Sequence, residues 1–327
     1  MTREVVLAAR PQGVPQETDF ELRDSEDAEP GDGEVLVRNV FVSVDPYMRG
    51  RMSGIRTYVG PYEIGDPIDG GAVGRVVVSK CEGLSEGDWV ASMLGWREAG
   101  VVDGKTLRKL DPALAPPSTA LGVLGMTGFT AWIGLVEIAG VEEGETIYVS
   151  GAAGAVGSAA VQIAMLKGLR VIGSAGSEEK VEWLRSLGVD AFNYRETPAK
   201  EALADGIDVY FDNVGGAQLE AALHALRPFG RVAACGAISR YNDQQPEPGP
   251  RNLGFVVSKR LRLQGFIIRD HTARFGDFMR EVAPWVAEGK IECRETVVDG
   301  IENVPAAFAG LFSGDNVGKM LVRVGPD

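Results

Sequence analysis

Two rhythms of apolar and polar positions divide the chain. Up to about residue 115, short runs rich in β-branched residues lie at 4–10 (EVVLAAR), 34–44 (EVLVRNVFVSV), 72–80 (AVGRVVVSK) and 88–94 (DWVASML). Turn signals such as Pro30-Gly31-Asp32-Gly33 and Glu86-Gly87-Asp88 separate them, which predicts a small, mainly antiparallel β domain. From about Leu121, strand-length runs at 146–150, 170–174, 208–212, 231–235 and 261–268 alternate with helical stretches at 155–167, 178–187, 218–226 and 274–288. That alternation predicts an α/β domain with a parallel, doubly wound sheet. The stretch 241–252, acidic and rich in proline, interrupts the pattern and reads as a long functional loop. Residues 296–324 look strand-like again around a short helix, ENVPAAFAGLFSG. The economical arrangement returns this tail to the first domain, giving segments 1–120, 121–295 and 296–327.

Composition narrows the function. The chain has 327 residues, 45% hydrophobic and 24% charged, the balance of a globular protein of about two domains. Lys and Arg number 33 against 46 Asp and Glu, a formal net charge of −13. So acidic a surface repels phosphate backbones, which argues against nucleic acid as a partner. An anionic cofactor must then be held by a local pocket. Neither a leader-like start nor a membrane-length apolar run is present, and three scattered cysteines write no disulfide framework. The expected compartment is the cytoplasm. Glycines number 43 of 327, nearly twice the usual share of about 7%, and mark turns or close approaches of backbone.

One glycine cluster stands out. After the run TIYVS comes Gly151-Ala-Ala-Gly154-Ala-Val-Gly157, then an apolar helical stretch, then the next strand at 170. Strand, glycine turn and helix N-terminus in that order form a dinucleotide-binding frame. Gly154 lets backbone approach a pyrophosphate, Gly157 lets helix and strand pack, and the helix end offers unpaired N–H groups. An NAD site usually carries an acid at the end of the second strand; here Ser174 and Ser177 occupy that region. Glu178 and Glu179 read as first-turn helix acids. Lys180 suits a 2′-phosphate as a point charge; the alternative is a solvated helix lysine. Tyr194 and Arg195 follow the third strand and can flank an adenine. NADPH is therefore expected over NADH. His224, His271 and the three cysteines compose neither a zinc ligand set nor a Ser-His-Asp site, so no metal is expected.

Seven segments carry a family resemblance: VSVDPYMRGRM (42–52), LGMTGFTAW (124–132), GAAGAVGSAAVQIA (151–164), GSEEKVEWLRSLGVDAFNYR (176–195), YFDNVGG (210–216), GRVAACGAISRYN (230–242) and GDNVGKMLV (314–322). In order and over nearly the whole chain, they resemble the zinc-independent medium-chain dehydrogenase/reductases, in the branch of prostaglandin reductases and alkenal (enone) double-bond reductases. The resemblance implies a GroES-like, mainly antiparallel β domain split by a Rossmann domain, and often a homodimer. It implies a pyrophosphate loop of Gly154, Ala155, Val156 and Gly157 and a 2′-phosphate site around Lys180. Tyr194 and Asn213 would line the adenosine and ribose. Met126, the stretch Cys235, Gly236, Ala237, Ile238, Ser239 to Tyr241, and Phe266, Ile267 and Ile268 would run beside the cofactor, with Asn316 closing the pocket. Thr127 stands where the family commonly has proline.

Reduction of an activated C=C bond needs a hydride at the β-carbon, a hydrogen-bond donor for the carbonyl oxygen, and a proton at the α-carbon. The nicotinamide brings the hydride. Tyr241 suits the donor role, worth about 3 kcal/mol when preorganised; the alternative is a lid or packing residue. Tyr47 reads as a substrate-pocket aromatic or as a packed tyrosine at a strand end. Arg49 and Arg51 read as attractors of a carboxylated substrate or as surface partners of Asp45. Cys235 reads as a small buried residue rather than a nucleophile. Three functions stay open: an NADPH-dependent enone reductase, a quinone or alcohol oxidoreductase, and an NADPH-binding sensor without turnover.

Overall fold

The computed structural model describes residues 1–326 except 27 and 246. The chain forms two compact units, one of residues 1–121 with 294–327, the other of residues 122–293.

In the first unit the strand Glu34–Ser43 is the hub. It pairs antiparallel with Ala72–Ser79, Ala99–Asp103 and Lys319–Arg323. The sheet continues through Trp89–Ser92 to Arg108–Lys109 on one side and, by a parallel pairing, to Glu295–Asp299 on the other. The alternating apolar positions Val35, Val37, Val42, Ala72, Val76 and Val90 form its core. The C-terminal segment belongs here for two reasons: its strand adds to the hub, and Phe308 of the helix Val304–Ser313 is fully buried. The Phe308 ring lies 5.5 Å from Trp96 and 6.4 Å from Phe20, an aromatic cluster drawn from three distant segments. The strand Phe20–Ser25, with four exposed residues in a row, pairs antiparallel with Thr2–Leu7. Its charged, exposed face hides the period-2 signal, and so the sequence does not announce it.

The second unit holds six parallel strands in the order Asp190–Asn193, Arg170–Ala175, Thr146–Val149, Ile207–Asp212, Leu226–Ala234, Arg262–Gly265. Ile147, Tyr148 and Val149 are all fully buried. A strand covered on both faces is apolar without alternation, which is why TIYV reads as one continuous run. The chain reverses its direction of travel across the sheet between the strands Thr146–Val149 and Ile207–Asp212, the crevice where doubly wound folds bind ligands. The last strand is shorter than the run 261–268: it ends at Gly265, and Ile268 opens a 3₁₀ turn to Arg274. The described part of 241–252 contains neither helix nor strand; Pro246 lies outside the described residues.

Candidate functional site: a glycine turn at the sheet's crevice

The helix Ala155–Leu166 begins at Gly154, which is extended (φ −82°, ψ 178°) and has no side chain to cap it. The N–H groups of Ala155, Val156 and Gly157 thus have no intrahelical acceptor. A Cβ on Gly157 would stand 2.2 Å from Gly151 O and 2.8 Å from Ala152 Cα, so only glycine lets the helix start this close to the turn. A Cβ on Gly154 would meet only Gly151 O, at 3.3 Å, and its backbone is otherwise open to an approaching group. Three unpaired donors, a positive helix end and bare backbone fit the two phosphates of a dinucleotide. Gly157→Ala is expected to displace the turn at a strain of about 1–3 kcal/mol, weakening NADPH binding about tenfold or more. Fluorescence titration measures this; an unchanged dissociation constant would separate the turn from cofactor binding.

Opposite the turn, the strand Ile207–Asp212 ends in a buried carboxylate. Asp212 Oδ1 accepts N–H bonds from Gly215 at 2.7 Å and Val214 at 3.0 Å, and the Tyr210 hydroxyl at 2.7 Å. Its carbonyl takes the N–H groups of Cys235 and Gly236, both at 2.9 Å. Desolvation raises the Asp212 carboxyl above the usual range, and these bonds pull against that rise. Ser150 ties the two strand ends together: its Oγ accepts Asn213 N–H at 3.1 Å, and its carbonyl accepts Asn213 Nδ2 at 2.8 Å. These two bonds to Ser150 orient Asn213. Gly215 follows with φ +70°, a conformation that glycine adopts without strain.

At the second strand, Ser174 is not at the ribose. It is fully buried, with Oγ 2.8 Å from Tyr148 Oη. Tyr148 in turn stacks on Tyr210 at 5.0 Å. Ser177 precedes the helix Glu178–Ser186, whose first-turn Glu178 pairs with Arg185 at 3.1 Å. Lys180 sits half-buried in that first turn. Tyr194 is 42% exposed, and its hydroxyl would lie 2.9 Å from a Cβ on Gly176. The turn after the second strand therefore lies beside Tyr194, which follows the third strand, and leads into the helix that carries Lys180.

After the fifth strand, Cys235, Gly236, Ala237 and Ile238 are half-buried and Ser239 is exposed. Ser239 Oγ donates to Val214 O at 2.6 Å, and Ile238 N–H to Asn213 O at 3.2 Å, which brings this segment against the Asn213 loop. Desolvation, then the Asp212 charge, push the Cys235 thiol up to about 12, which denies it a thiolate near neutral pH. Tyr241 folds back over the segment: its hydroxyl accepts Ala237 N–H at 3.3 Å and would lie 3.1 Å from a Cβ on Gly236. Phe266 turns inward, its ring 3.0 Å from the Cβ position of Gly134. Ile267 and Ile268 are half-buried, and Met126, the first residue of the helix Met126–Ile133, is 38% exposed.

Two family models match the chain: one described as the N-terminal domain of oxidoreductase over residues 3–110, the other as a zinc-binding dehydrogenase over residues 155–287. The NADPH-dependent curcumin reductase of Escherichia coli (strain K12) is 45% identical over 99% of this chain and 97% of its own length. Prostaglandin reductase 1 of Mus musculus is 44% identical over 95% of this chain and 96% of its own. The crystal structure of CurA from Vibrio vulnificus in complex with NADPH superimposes with a TM-score of 0.94 at 41% identity, covering 99% of this chain and all of that one. The chain belongs to the zinc-independent enone-reductase branch of the medium-chain dehydrogenase/reductases.

Although the second family model is described as zinc-binding, no group of three or more His, Cys, Asp or Glu placed to hold a metal occurs among the described residues of this reductase. Thr127, the departure from the family's usual proline, is buried, and its Oγ1 has no hydrogen-bond partner among the described residues.

In the first unit, Tyr47 opens the short helix Tyr47–Met52 and is half-buried. Desolvation first, then Asp45, raise its phenol well above the ordinary value, so it stays a neutral hydroxyl. Asn316 is buried, its Nδ2 donating to Gly318 O at 2.7 Å. The two arginines differ from the sequence reading. Neither is a surface group: Arg49 is 7% and Arg51 is 9% exposed. Arg49 donates to the carbonyls of Pro11 and Gly13 at 3.0–3.2 Å, whereas Arg51 pairs with Asp69. Asp45 is engaged instead by Ser43 and Lys319. Sequence reasoning gave no role to Ser150, which closes the run TIYVS, or to Asp212 and Lys319, which lie inside recognised motifs. The signal for Asp212 was available: an acid closing an apolar strand directly before Asn-Val-Gly-Gly.

Proposed function

We propose that this protein is an NADPH-dependent oxidoreductase that reduces the C=C bond of α,β-unsaturated aldehydes and ketones. The observation that carries the reading is the uncapped glycine turn facing the Asp212-anchored Asn213 loop at the crevice of the parallel sheet, in a chain of this family. Gly154, Ala155, Val156 and Gly157 receive the pyrophosphate; Lys180 faces the 2′-phosphate, with Tyr194 and Asn213 on the adenosine and ribose. Met126, Cys235 to Ser239, Phe266 to Ile268 and Asn316 line the remainder of the cofactor. When bound, NADPH supplies the hydride for the β-carbon. Tyr241 donates to the substrate oxygen as enolate charge develops; the N–H bond its oxygen accepts from Ala237 strengthens the hydroxyl as a donor. Tyr47 packs against the substrate as a neutral aromatic.

The proposed form is a cytoplasmic homodimer. The strand Arg262–Gly265 supports dimerisation, since it ends the sheet and all four of its residues are exposed, an edge that suits a second copy. Cys81, Cys235 and Cys293 form no disulfide among the described residues, which accords with a reducing compartment. No helix among the described residues is long and apolar enough to cross a membrane.

The test follows NADPH absorbance with a linear 2-alkenal, an aryl enone, a small quinone and a saturated aldehyde, each repeated with NADH. Turnover is expected with the enal and the enone, giving saturated carbonyl products, with NADPH at least about tenfold better than NADH. Turnover of the quinone alone would make the protein a quinone reductase. Tight NADPH binding without any turnover would make it a sensor.

A further inference from the structure

Arg51 lies one helical turn beyond Tyr47, with only 10% of its side chain exposed. A guanidinium this buried needs both its donors and its charge met. Nε donates to Gly60 O at 2.9 Å, while the two terminal nitrogens form a forked pair with the Asp69 carboxylate, Nη2 to Oδ2 at 3.0 Å. The guanidinium also covers the Tyr62 ring at 3.8 Å, and the Tyr62 hydroxyl donates to Asp69 O at 2.7 Å. Asp69 is the open end of the cluster, with 48% of its side chain exposed. Among the surrounding charges, Asp45 pairs with Lys319 and Glu4 with Arg23, while Arg97, a second positive charge, lies within electrostatic reach of both Glu4 and Asp69. Tyr47 lies within the field of Arg51, Asp69 and Asp45.

We propose that Asp69 masks Arg51 and so makes this reductase select neutral enones and enals over carboxylated ones. The inference rests on the reading above that Tyr47 packs against the enone. Asp69 occupies the planar fork that would otherwise grip a carboxylate with two parallel bonds. Being half-exposed, it also repels an arriving anion, whereas a neutral substrate meets only the aromatic surfaces and is indifferent to the pair. Neutralising Asp69 leaves the fork of Arg51 open and the cluster net positive, with Arg97 adding to the effect.

Two probes with the same reacting bond test this: 4-phenylbut-3-en-2-one and its para-carboxylate, compared as a ratio of kcat/KM at low ionic strength. The wild type is expected to favour the neutral probe. Asp69→Asn should move the ratio toward the carboxylate about tenfold, an effect that fades as salt is added. Arg51→Met, which bares Asp69, should move it the other way, and the double variant should return near the wild-type ratio. A purely structural role lowers both kcat/KM values together and leaves their ratio in place. A ratio that stays within twofold in Asp69→Asn overturns the masking while leaving the enone reading intact. Should that variant not fold, the ratio in Arg51→Met decides alone, and no decrease there overturns it. If the wild type reduces neither probe, the enone reading fails and the masking with it.

Discussion

Tyr241→Phe is expected to lower kcat for an enone about a hundredfold while changing the NADPH dissociation constant less than threefold. The magnitude is that of one preorganised donor to a developing oxyanion, about 3 kcal/mol. The asymmetry follows from the geometry. The ring keeps its packing over Gly236 and Ala237, and its oxygen accepts an N–H bond from Ala237 at 3.3 Å. The cofactor's phosphates are assigned to different groups, the helix end at Gly154–Gly157 and Lys180. Loss of the hydroxyl therefore falls on the transition state rather than on ground-state binding. Stopped-flow single turnovers with saturating NADPH, beside a fluorescence titration, separate the two quantities. A kcat within threefold of the wild type would remove Tyr241 from the proton and oxyanion chemistry and leave it a packing residue.

Lys319→Met is the second large effect, on stability rather than rate, with an expected loss of about 3–5 kcal/mol. Lys319 and Asp45 have side chains only 4% and 5% exposed, their charged atoms 3.2 Å apart. The ammonium also donates to Val44 O at 2.9 Å and Met320 O at 3.0 Å. Methionine fills much of the same volume but leaves a buried carboxylate without its counter-charge and two carbonyls short of a donor. Because Lys319 begins the tail strand, the C-terminal segment should detach first from the strand Glu34–Ser43. Urea unfolding followed by tryptophan fluorescence would show the midpoint falling. Adding Asp45→Asn should restore part of the loss, because it removes the unpaired charge. A midpoint unchanged in the single variant would mean that water reaches Asp45 and meets its charge.

How much was legible in advance depended on the range of the interactions. The Rossmann unit announced itself because its signals are local: a glycine turn, a helix and buried strands follow one another within about thirty residues. The glycine turn is the strongest case, since the need for glycine at 157 comes from a carbonyl only six positions earlier. The expectation for the last strand ran three residues too far, because Phe266, Ile267 and Ile268 are as apolar as a strand yet leave the sheet after Gly265. The charged strand Phe20–Ser25 was invisible for the opposite reason: its exposed face carries no apolar period.

By itself, then, the sequence determined the parallel-sheet unit, its glycine turn and the absence of an acid at the second strand's end, all of which reside in short windows of chain. Only the tertiary structure decided the polar partnerships. Ser174 turns inward to Tyr148, 26 residues away, rather than outward to a ribose. Arg51 is claimed by Asp69, and Asp45 by Lys319 across 274 residues. The physical reason is that apolar burial requires only a face, which periodicity along the chain encodes. A buried charge or hydroxyl requires one partner at about 3 Å, and that partner is chosen by how distant segments pack.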